Sequence, residues 1–312
     1  MPDGRTKTGE APAPVAPRAF TSVDALHALV LGVLLLLCPL VVKRTAAGAW
    51  LAAGYAGPIA LLLLLARAHR ARPRHRLLGA LHLWYPLLYV PLVFWSLYYV
   101  VPALNPHSRD DLLLAWDRTL LGSDPVEWFR SLESPLLTEV MHLFYVSYFV
   151  LPVLLVVWLL ACRRPAALRE TLFVLCFSFY LCYVGYAIVP AEGPRYAVYG
   201  SNEMEGLALT QPMRDVINSL EPNKFDVFPS AHAAVTLVVT ALGLRWAPRL
   251  GRVMLFLAVG ILASLVYTRY HYVVDVVAGA VWAVAALLVG PPLHRRWERR
   301  RTGGTGEAAA AV

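Results

Sequence analysis

The sequence predicts an all-α membrane protein, a polytopic helical bundle with about eight transmembrane helices. Of its 312 residues, 58% are hydrophobic and only 15% are charged, and the mean hydropathy is +0.57. This balance is more apolar than that of soluble domains. Several apolar runs also approach or exceed the roughly 20 residues that a helix needs to cross hydrocarbon. Basic or proline-containing turns separate these runs, as expected between successive spans.

The N-terminal part divides into two segments. Residues 1–22, rich in Pro, Ala and charge, are predicted to be a disordered cytoplasmic N-terminus. Residues 23–102 are predicted to form N-terminal transmembrane helices, with spans at about 24–42, 47–66 and 77–101. The first apolar run is long and lies far from the N-terminus, so we expect a retained span rather than a cleaved signal peptide.

The remaining chain is predicted to hold a short interfacial segment and five more spans. Residues 103–135 are polar and of mixed charge but contain Trp116, Trp128 and Phe129, a pattern typical of one or two short helices on the membrane surface. Residues 136–293 are predicted to form a second membrane domain, and 294–312 a basic cytoplasmic tail. The five spans of the second domain are expected at about 136–161, 171–189, 230–246, 253–270 and 271–291.

The distribution of positive charge predicts the orientation of the bundle. With eight spans both termini share a side, and 19 of the 28 Lys and Arg residues lie on that side. The positive-inside rule therefore predicts cytoplasmic termini, in an integral protein of what we expect to be a bacterial plasma membrane. The net charge of +8 is spread over the turns between spans, which argues against a nucleic-acid partner.

Two polar clusters in the last third of the chain are predicted to meet. The first is FDVFPSAH at 225–232, and the second is YTRYHYVVDVVAG at 267–279. Two apolar stretches joined by a basic turn separate them. If both stretches cross the bilayer, the chain goes down and returns, so both clusters lie at one membrane face. By the charge count this face is the periplasmic or exterior one.

These clusters contain the side chains that phosphoryl transfer needs. His271 and Asp275 are four residues apart, which would make them neighbours on one helix face. A carboxylate so placed holds one ring nitrogen and leaves the other available to attack phosphorus. His271 is therefore the expected nucleophile, and Asp275 orients it. His232 is the expected acid for the departing oxygen.

Three further residues are expected to bind phosphate oxygens. Ser230 adds a hydroxyl at the start of an apolar helix, where free backbone N–H groups favour anions. Arg269, and Arg195 from the loop AEGPRY, are expected to clamp the same oxygens with their guanidinium groups. This chemistry needs no metal and no cofactor.

The same residues carry a resemblance to a known family. FPSAH is similar to the PSGH-type motif of the type 2 phosphatidic acid phosphatase (PAP2) superfamily, and YHYVVDVVAG resembles its HxxxD element. The combination of FPSxH with RYHYxxDxxAG, preceded by GPR, looks most like the branch containing the fungal inositol phosphorylceramide synthases. Upstream, the fragment DRTLLGSDPVEWF extends the resemblance, which places a PAP2-like core in the C-terminal half.

The resemblance implies a histidine nucleophile, a phosphohistidine intermediate and a second histidine as acid, on His271 and His232. It also implies a lipid phosphate or phospholipid substrate and, in a transferase, a lipid hydroxyl acceptor. The sequence departs from the family at two points. Leu265 stands where the third motif usually has arginine, and Ile188 stands where the first motif usually has lysine.

Two other classes of function remain open from the sequence. A zinc hydrolase could use the two histidines and Asp275, but the chain lacks HExxH, and the nearby arginines would repel a metal. A transporter or scaffold could bind anionic lipid without turnover. Whether water or a lipid hydroxyl accepts the phosphoryl group is also open.

Overall fold

The computed structural model describes residues 20–45, 47–72, 75–199, 204–221 and 223–301. Within these ranges the chain forms twelve helices and no strand. The helices are α1 Ser22–Val42, α2 Gly48–Ala71, α3 Arg76–Leu104, α4 Asp110–Leu121, α5 Pro125–Arg130, α6 Pro135–Ala161, α7 Pro165–Ile188, α8 Pro194–Ala197, α9 Thr210–Leu220, α10 Ala231–Trp246, α11 Pro248–Tyr267 and α12 Val273–Arg301. The all-α class expected from the sequence is confirmed.

Seven of these helices, α1, α2, α3, α6, α7, α11 and α12, are long and apolar enough to cross a membrane. Each of the eight expected spans has a helix, but the sixth, α10, has only 16 residues. At 1.5 Å per residue it is about 24 Å long, less than the roughly 30 Å of hydrocarbon. Its side chains are mostly buried within the bundle, so α10 need not match the lipid thickness itself.

The ends of the chain lie partly outside the described residues. The predicted disorder of residues 1–22 falls largely on 1–19, and the end of the predicted tail falls on 302–312. Both of these segments lie outside the described residues. The described part of the tail is helical, since α12 continues past Pro291 and Pro292 to Arg301.

The short α10 lies at the centre of the C-terminal half and packs against α6, α7, α11 and α12. Gly279 of α12 makes one of these contacts possible, because a Cβ there would lie 2.4 Å from the Ser230 carbonyl oxygen. The N-terminal unit of α1, α2 and α3 packs against α7. Its helix α3 is therefore close to the C-terminal half, whereas α2 contacts only α1 and α3 among the principal packing pairs.

The connecting segments contain more helix than the sequence indicated. One or two short helices were expected in 103–135, and two, α4 and α5, are found there. The segment between α7 and α10 was expected to be one long loop, but it contains two helices, α8 and α9. The start of α9 is held by Glu139 of α6, whose Oε2 accepts hydrogen bonds from the backbone N–H of Leu209 and Thr210 at 2.9 and 3.2 Å.

Because the long helices alternate in direction, the bundle has two distinct ends. The site end contains the starts of α6, α10 and α12 and the ends of α7 and α11. The opposite end contains the starts of α1, α3 and α7 and the ends of α2 and α12. The two predicted polar clusters both lie at the site end, as the down-and-return argument required.

Candidate active site

His271 lies in the short loop between α11 and α12. Its backbone N–H donates to the Leu265 carbonyl at 3.1 Å, and Arg269 turns the loop in the left-handed region with φ of 64°. The expected span began at His271, whereas α12 begins at Val273. His271 therefore precedes the helix instead of sharing one of its faces with Asp275.

Asp275 nevertheless reaches His271 from the first turn of α12. Its Oδ1 lies 3.0 Å from His271 Nδ1, and its Oδ2 accepts the backbone N–H of Tyr272 at 2.9 Å. The carboxylate is fully buried. The network assigns the proton to Nδ1, since Nδ1 faces a carboxylate. Nε2 is then left with its lone pair, as a nucleophile requires.

His232 and Ser230 meet His271 from the start of α10. His271 Nε2 lies 3.2 Å from His232 Nδ1 and 3.3 Å from Ser230 Oγ. Ser230 is the N-cap of α10, where its Oγ accepts the backbone N–H of Ala233. The structure thus brings together four residues that the sequence singled out: His271, Asp275, His232 and Ser230.

Glu221, which the sequence analysis did not single out, is the partner of His232. Its Oε1 lies 2.8 Å from His232 Nε2, and its Oε2 accepts the hydroxyl of Tyr145 at 3.0 Å. His232 Nε2 and Glu221 Oε1 are close enough for an ion pair, but their angles are not those of an aligned hydrogen bond. No motif marked Glu221, which lies 11 residues before His232. The available signal was the i, i+3, i+4, i+7 spacing of Met213, Val216, Ile217 and Leu220, which is typical of the amphipathic helix that ends at Leu220.

These contacts determine where the protons lie. His271 Nε2 has a lone pair, so His232 Nδ1 must carry a proton for the two nitrogens to approach within 3.2 Å. His232 Nε2 faces a carboxylate oxygen of Glu221, whose charge favours a second proton on the ring, whereas burial of the ring opposes it. His232 also lies directly beside the nucleophilic nitrogen.

A cavity of about 340 Å³ opens on this pair. Both histidines line it, together with Tyr145, Glu192, Tyr196, Ile217, Asn218, Glu221, Asn223, Lys224, Asp226, Val227 and Tyr270. Burial, followed by the charge of Glu221, raises the pKa of the Asp226 carboxyl well above its usual range. Asp226 is thus favoured in its neutral form, and Lys224 supplies a positive charge on the cavity wall.

Arg195 lies at the rim of this cavity. Its guanidinium donates to the hydroxyl of Tyr270 and, at 3.5 Å, to Asn218 Oδ1, and both of these residues line the cavity. The backbone is fixed by the N–H of Arg195, which donates to the Arg269 carbonyl at 2.8 Å. Gly193 allows this approach, because it has φ of 88° and a Cβ there would lie 2.6 Å from the Tyr270 carbonyl oxygen.

Arg269 has a different environment from the one expected. Its guanidinium pairs with Glu133 and lies 4.9 Å from the ring centre of Tyr199. It lines a neighbouring cavity of about 380 Å³ that also contains Arg130 and Glu133 and, among the described residues, neither site histidine. The structure therefore groups Arg195, but not Arg269, with the histidine pair.

Two buried carboxylates of α4 hold the site loops in place. Asp110 accepts the backbone N–H of Glu192 and of Gly193 at 2.8 Å, and the hydroxyl of Tyr272 at 2.9 Å. Asp117 accepts the backbone N–H of Val273 and Val274, the first residues of α12, at 2.9 and 2.7 Å. The sequence analysis did not single out these residues. Their seven-residue spacing, which places both on one helix face, was the available signal.

The comparisons with known proteins show the family of the chain. The family model described as the PAP2 superfamily matches residues 111–289, which is more than half of the chain. A PA-phosphatase related-family protein of Dictyostelium discoideum is 23% identical over 217 residues, covering 59% of this chain and 38% of that protein. No solved structure matches. The chain therefore belongs to the PAP2 superfamily, and this membership points to a phosphatase-type membrane enzyme.

Proposed function

We propose that this PAP2-superfamily chain is a membrane-embedded phosphatase or phosphotransferase that acts on a lipid phosphate or phospholipid headgroup through phosphohistidine at His271. One observation supports the proposal above all others. The Nε2 lone pair of a carboxylate-held histidine lies 3.2 Å from a second histidine, and both line one cavity. Nucleophile and acid are thus adjacent at the place where a phosphate group has room to bind.

In the first step His271 Nε2 attacks phosphorus. The P–N bond forms, the bond from phosphorus to the lipid oxygen breaks, and the Nδ1 proton of His232 moves to that oxygen. The lipid departs as an alcohol. Asp275 holds Nδ1–H and stabilises the positive charge that develops on the ring of His271. The charge of Glu221 favours the protonated form of His232 that the step requires and so opposes the effect of burial.

In the second step an acceptor hydroxyl attacks the phosphohistidine. Neutral His232 takes the proton of the acceptor, the P–N bond breaks, and a new P–O bond forms. With water as acceptor the product is free phosphate or a free phospho-headgroup. With a lipid hydroxyl the product is a new phospholipid. Both steps use the same residues, so the acceptor is determined by what reaches the cavity.

We assign the binding of the phosphate oxygens to positively charged side chains and backbone N–H groups around the two histidines. Ser230 and the backbone N–H groups at the start of α10 lie beside His271, where a helix start favours anions. Arg195 and Lys224 add positive charge at the cavity rim and wall. Arg269 joins them only if it leaves Glu133, and we assign it a secondary role.

The finer points of the proposal rest on the sequence. The resemblance of the FPSAH and RYHYVVD motifs to those of one branch of the superfamily favours an inositolphosphotransferase-like enzyme. The distribution of Lys and Arg favours cytoplasmic termini and a site that faces the periplasm or exterior of a bacterial plasma membrane. A labelling assay with a membrane-impermeant thiol reagent on single cysteines at the two ends of the bundle tests this orientation.

The decisive experiment uses purified protein in mixed lipid micelles with EDTA present. Phosphatidic acid, an isoprenyl diphosphate and phosphatidylinositol are each supplied with and without ceramide or diacylglycerol. Free phosphate and new phospholipids are then measured. We expect turnover that survives EDTA and is lost in His271→Ala. Retained turnover in His271→Ala contradicts the nucleophile, and loss of turnover with EDTA alone favours a metal hydrolase.

The acceptor arms of the same experiment separate the two enzymatic activities. Free phosphate without added acceptor identifies a phosphatase. A new phosphodiester that forms only with ceramide or diacylglycerol identifies a headgroup transferase. Lipid binding without any phosphorus product, in a chain that is folded, favours the non-catalytic lipid-binding or transport alternative.

A further inference from the structure

A second cavity, of about 160 Å³, adjoins the first at the histidine acid. The two cavities share three lining residues, His232, Glu221 and Asp226. The other residues of the second cavity are almost all apolar or aromatic: Val90, Pro91, Phe94, Trp95, Tyr148, Phe149, Phe179, Tyr183, Tyr186, Leu220 and Ala231. A polar space and an apolar space therefore meet at His232. His271 lines only the polar one of these two.

The apolar cavity extends from the site to the outer surface of the bundle. At its inner end, Tyr148, Tyr186 and His232 are at most 6% exposed. At its outer end, Trp95 of α3 is 43% exposed and Pro91 is also exposed. Helix α3 is one of the candidate membrane spans, so residues exposed on its outer side face hydrocarbon. The cavity thus has a mouth towards lipid and a floor at the proposed acid.

Helix α3 is held firmly as one wall of this cavity. The hydroxyl of Tyr183 on α7 donates to the Val90 carbonyl at 3.1 Å, and the ring centre of Phe94 lies 6.0 Å from that of Tyr183. Near the mouth, Trp95 Nε1 donates to the Leu220 carbonyl at 2.9 Å, one residue before Glu221. The wall is therefore tied both to the catalytic core and to the segment that carries Glu221.

The chemistry of the first step determines what belongs in this space. The oxygen that receives the proton of His232 is the oxygen of the leaving lipid alcohol, so the hydrocarbon attached to that oxygen must extend away from His232. The polar cavity contains the phosphate and the nucleophile. The adjoining apolar cavity contacts His232 without contacting His271 and leads to lipid, which is the path that a hydrocarbon chain requires.

We infer that the apolar cavity holds the hydrocarbon chain of the leaving lipid alcohol, and that α3 sets the enzyme's selectivity for that chain. This inference rests on the proposed function and adds the substrate's chain to it. Helix α3 precedes the family match at residues 111–289. The N-terminal unit, through α3, would then complete the substrate site, although the catalytic residues lie within residues 111–289.

The state of Asp226 is consistent with this occupant. Burial favours the neutral form of its carboxyl group, so the junction of the two cavities carries less charge than its residues suggest. Glu221 also has partners, since it contacts His232 Nε2 at 2.8 Å and accepts the hydroxyl of Tyr145 at 3.0 Å. A hydrocarbon chain near the junction therefore does not face an unpaired charge, which would be costly to desolvate.

The first test compares two substrates in several variants. Long-chain alkyl phosphate and ethyl phosphate share the phosphate chemistry, but only the former has a chain long enough to reach α3. We expect Phe94→Ala and Phe179→Ala each to lower kcat/KM for the long-chain ester on the order of fivefold to tenfold, because a buried aromatic contact is lost. Turnover of ethyl phosphate should stay within about twofold of wild type in the same proteins.

Leu92→Ala is the matched control on α3. Leu92 is 51% exposed and lines neither cavity, so this change should leave both substrates unaffected. Equal losses for both substrates in Phe94→Ala and Phe179→Ala, or no loss for either, would overturn the inference. If wild type turns over neither ester nor any lipid phosphate, the proposed function fails instead.

A labelling measurement decides the inference without turnover. A long-chain alkyl phosphonate with a diazirine at the chain end is photolysed with the wild-type protein, and labelled peptides are identified by mass spectrometry. We expect label in α3 near residues 90–95 and in α7 near 179–186, removed by excess long-chain phosphonate but not by ethyl phosphonate. Competed label confined to other helices contradicts the inference.

Discussion

Each end of the bundle has a histidine that is paired with a buried aspartate. At the site end His271 Nδ1 lies 3.0 Å from Asp275, and at the opposite end His82 Nε2 lies 3.0 Å from Asp24. Each pair also borders a cavity, and the larger cavity, about 580 Å³, is at the opposite end. Neither the pairing nor the size of the cavity therefore distinguishes a chemical site from a structural one.

The surroundings of the two pairs do differ. Asp24 is part of the capping box of α1 with Thr21, and it also accepts from Tyr85 and His82. Its hydrogen-bonding capacity is thus used to join α1 to α3. At the site end, the second nitrogen of His271 faces another histidine, His232, which in turn contacts Glu221. The pair at the site end is reactive because the lone pair of His271 Nε2 lies beside a proton on His232 Nδ1.

The largest expected effect separates the two pairs directly. His271→Ala should lower kcat by at least roughly 10³-fold, because the nucleophile is lost. His82→Ala should keep kcat within a few-fold of wild type but lower the melting temperature, since it removes one of the hydrogen-bond partners of the buried carboxylate of Asp24. Steady-state kinetics and thermal unfolding in detergent measure both. A His82→Ala protein that is stable but inactive would remove the distinction.

The next effect concerns the balancing carboxylate. Glu221→Gln removes the negative charge that favours protonated His232, so we expect kcat to fall on the order of 10²-fold. The descending, alkaline limb of the pH profile should also move to lower pH. Glu170→Gln, which breaks ion pairs with Arg245 and Arg295 at the opposite end, is the matched control. If the two variants have the same pH profile, Glu221 has no role in tuning the acid.

A smaller expected effect compares the contributions of Arg195 and Arg269 to kcat/KM. Arg195→Lys should lower kcat/KM by roughly tenfold, because lysine loses the planar two-pronged contact with phosphate. Arg269→Lys should cost less, since Arg269 is paired with Glu133 in the neighbouring cavity. Kinetics of both variants on one lipid phosphate measure the order. A larger loss in Arg269→Lys would mean that this arginine leaves Glu133 to bind substrate.

The smallest expected effect is on stability and comes from Asp226. Because burial raises the pKa of Asp226 in the folded state, its neutral form is stabilising at pH values below the ordinary carboxyl pKa. That stability is lost as pH rises through the folded-state pKa. Asp226→Asn cannot ionise, so its melting temperature should fall less than that of wild type between mildly acidic and mildly alkaline pH. Parallel curves for the two proteins would show that Asp226 is ionised throughout.

Much of this structure could be predicted from the sequence because hydropathy is a local property. The positions of eight helices followed from apolar runs, and the meeting of FPSAH with RYHYVVD followed from two crossings and a turn. The contacts of His271 with Asp275 and His232 were also anticipated. The details were less accurate, since His271 lies before α12 and Asp275 reaches it as a capping residue.

What could not be predicted depends on contacts between distant segments. The amphipathic spacing of helix α9 was a local signal that the sequence analysis missed, but the contact of Glu221, the next residue, with His232 depends on tertiary packing. The separation of Arg195 from Arg269 depends on Glu133, which is 136 residues from Arg269 in sequence. Side chains at such separations meet only once the intervening helices have packed.

By itself the sequence determined the all-helical membrane fold, the family and the residues of the histidine pair. Each of these follows from local composition or short motifs, which do not depend on contacts between distant segments. Only the tertiary structure decided that Glu221 balances His232 and that Asp110 and Asp117 of α4 hold the site loops. It alone brought α3 to the mouth of the apolar cavity, because the packing of α3 on α7 is not encoded in any local pattern.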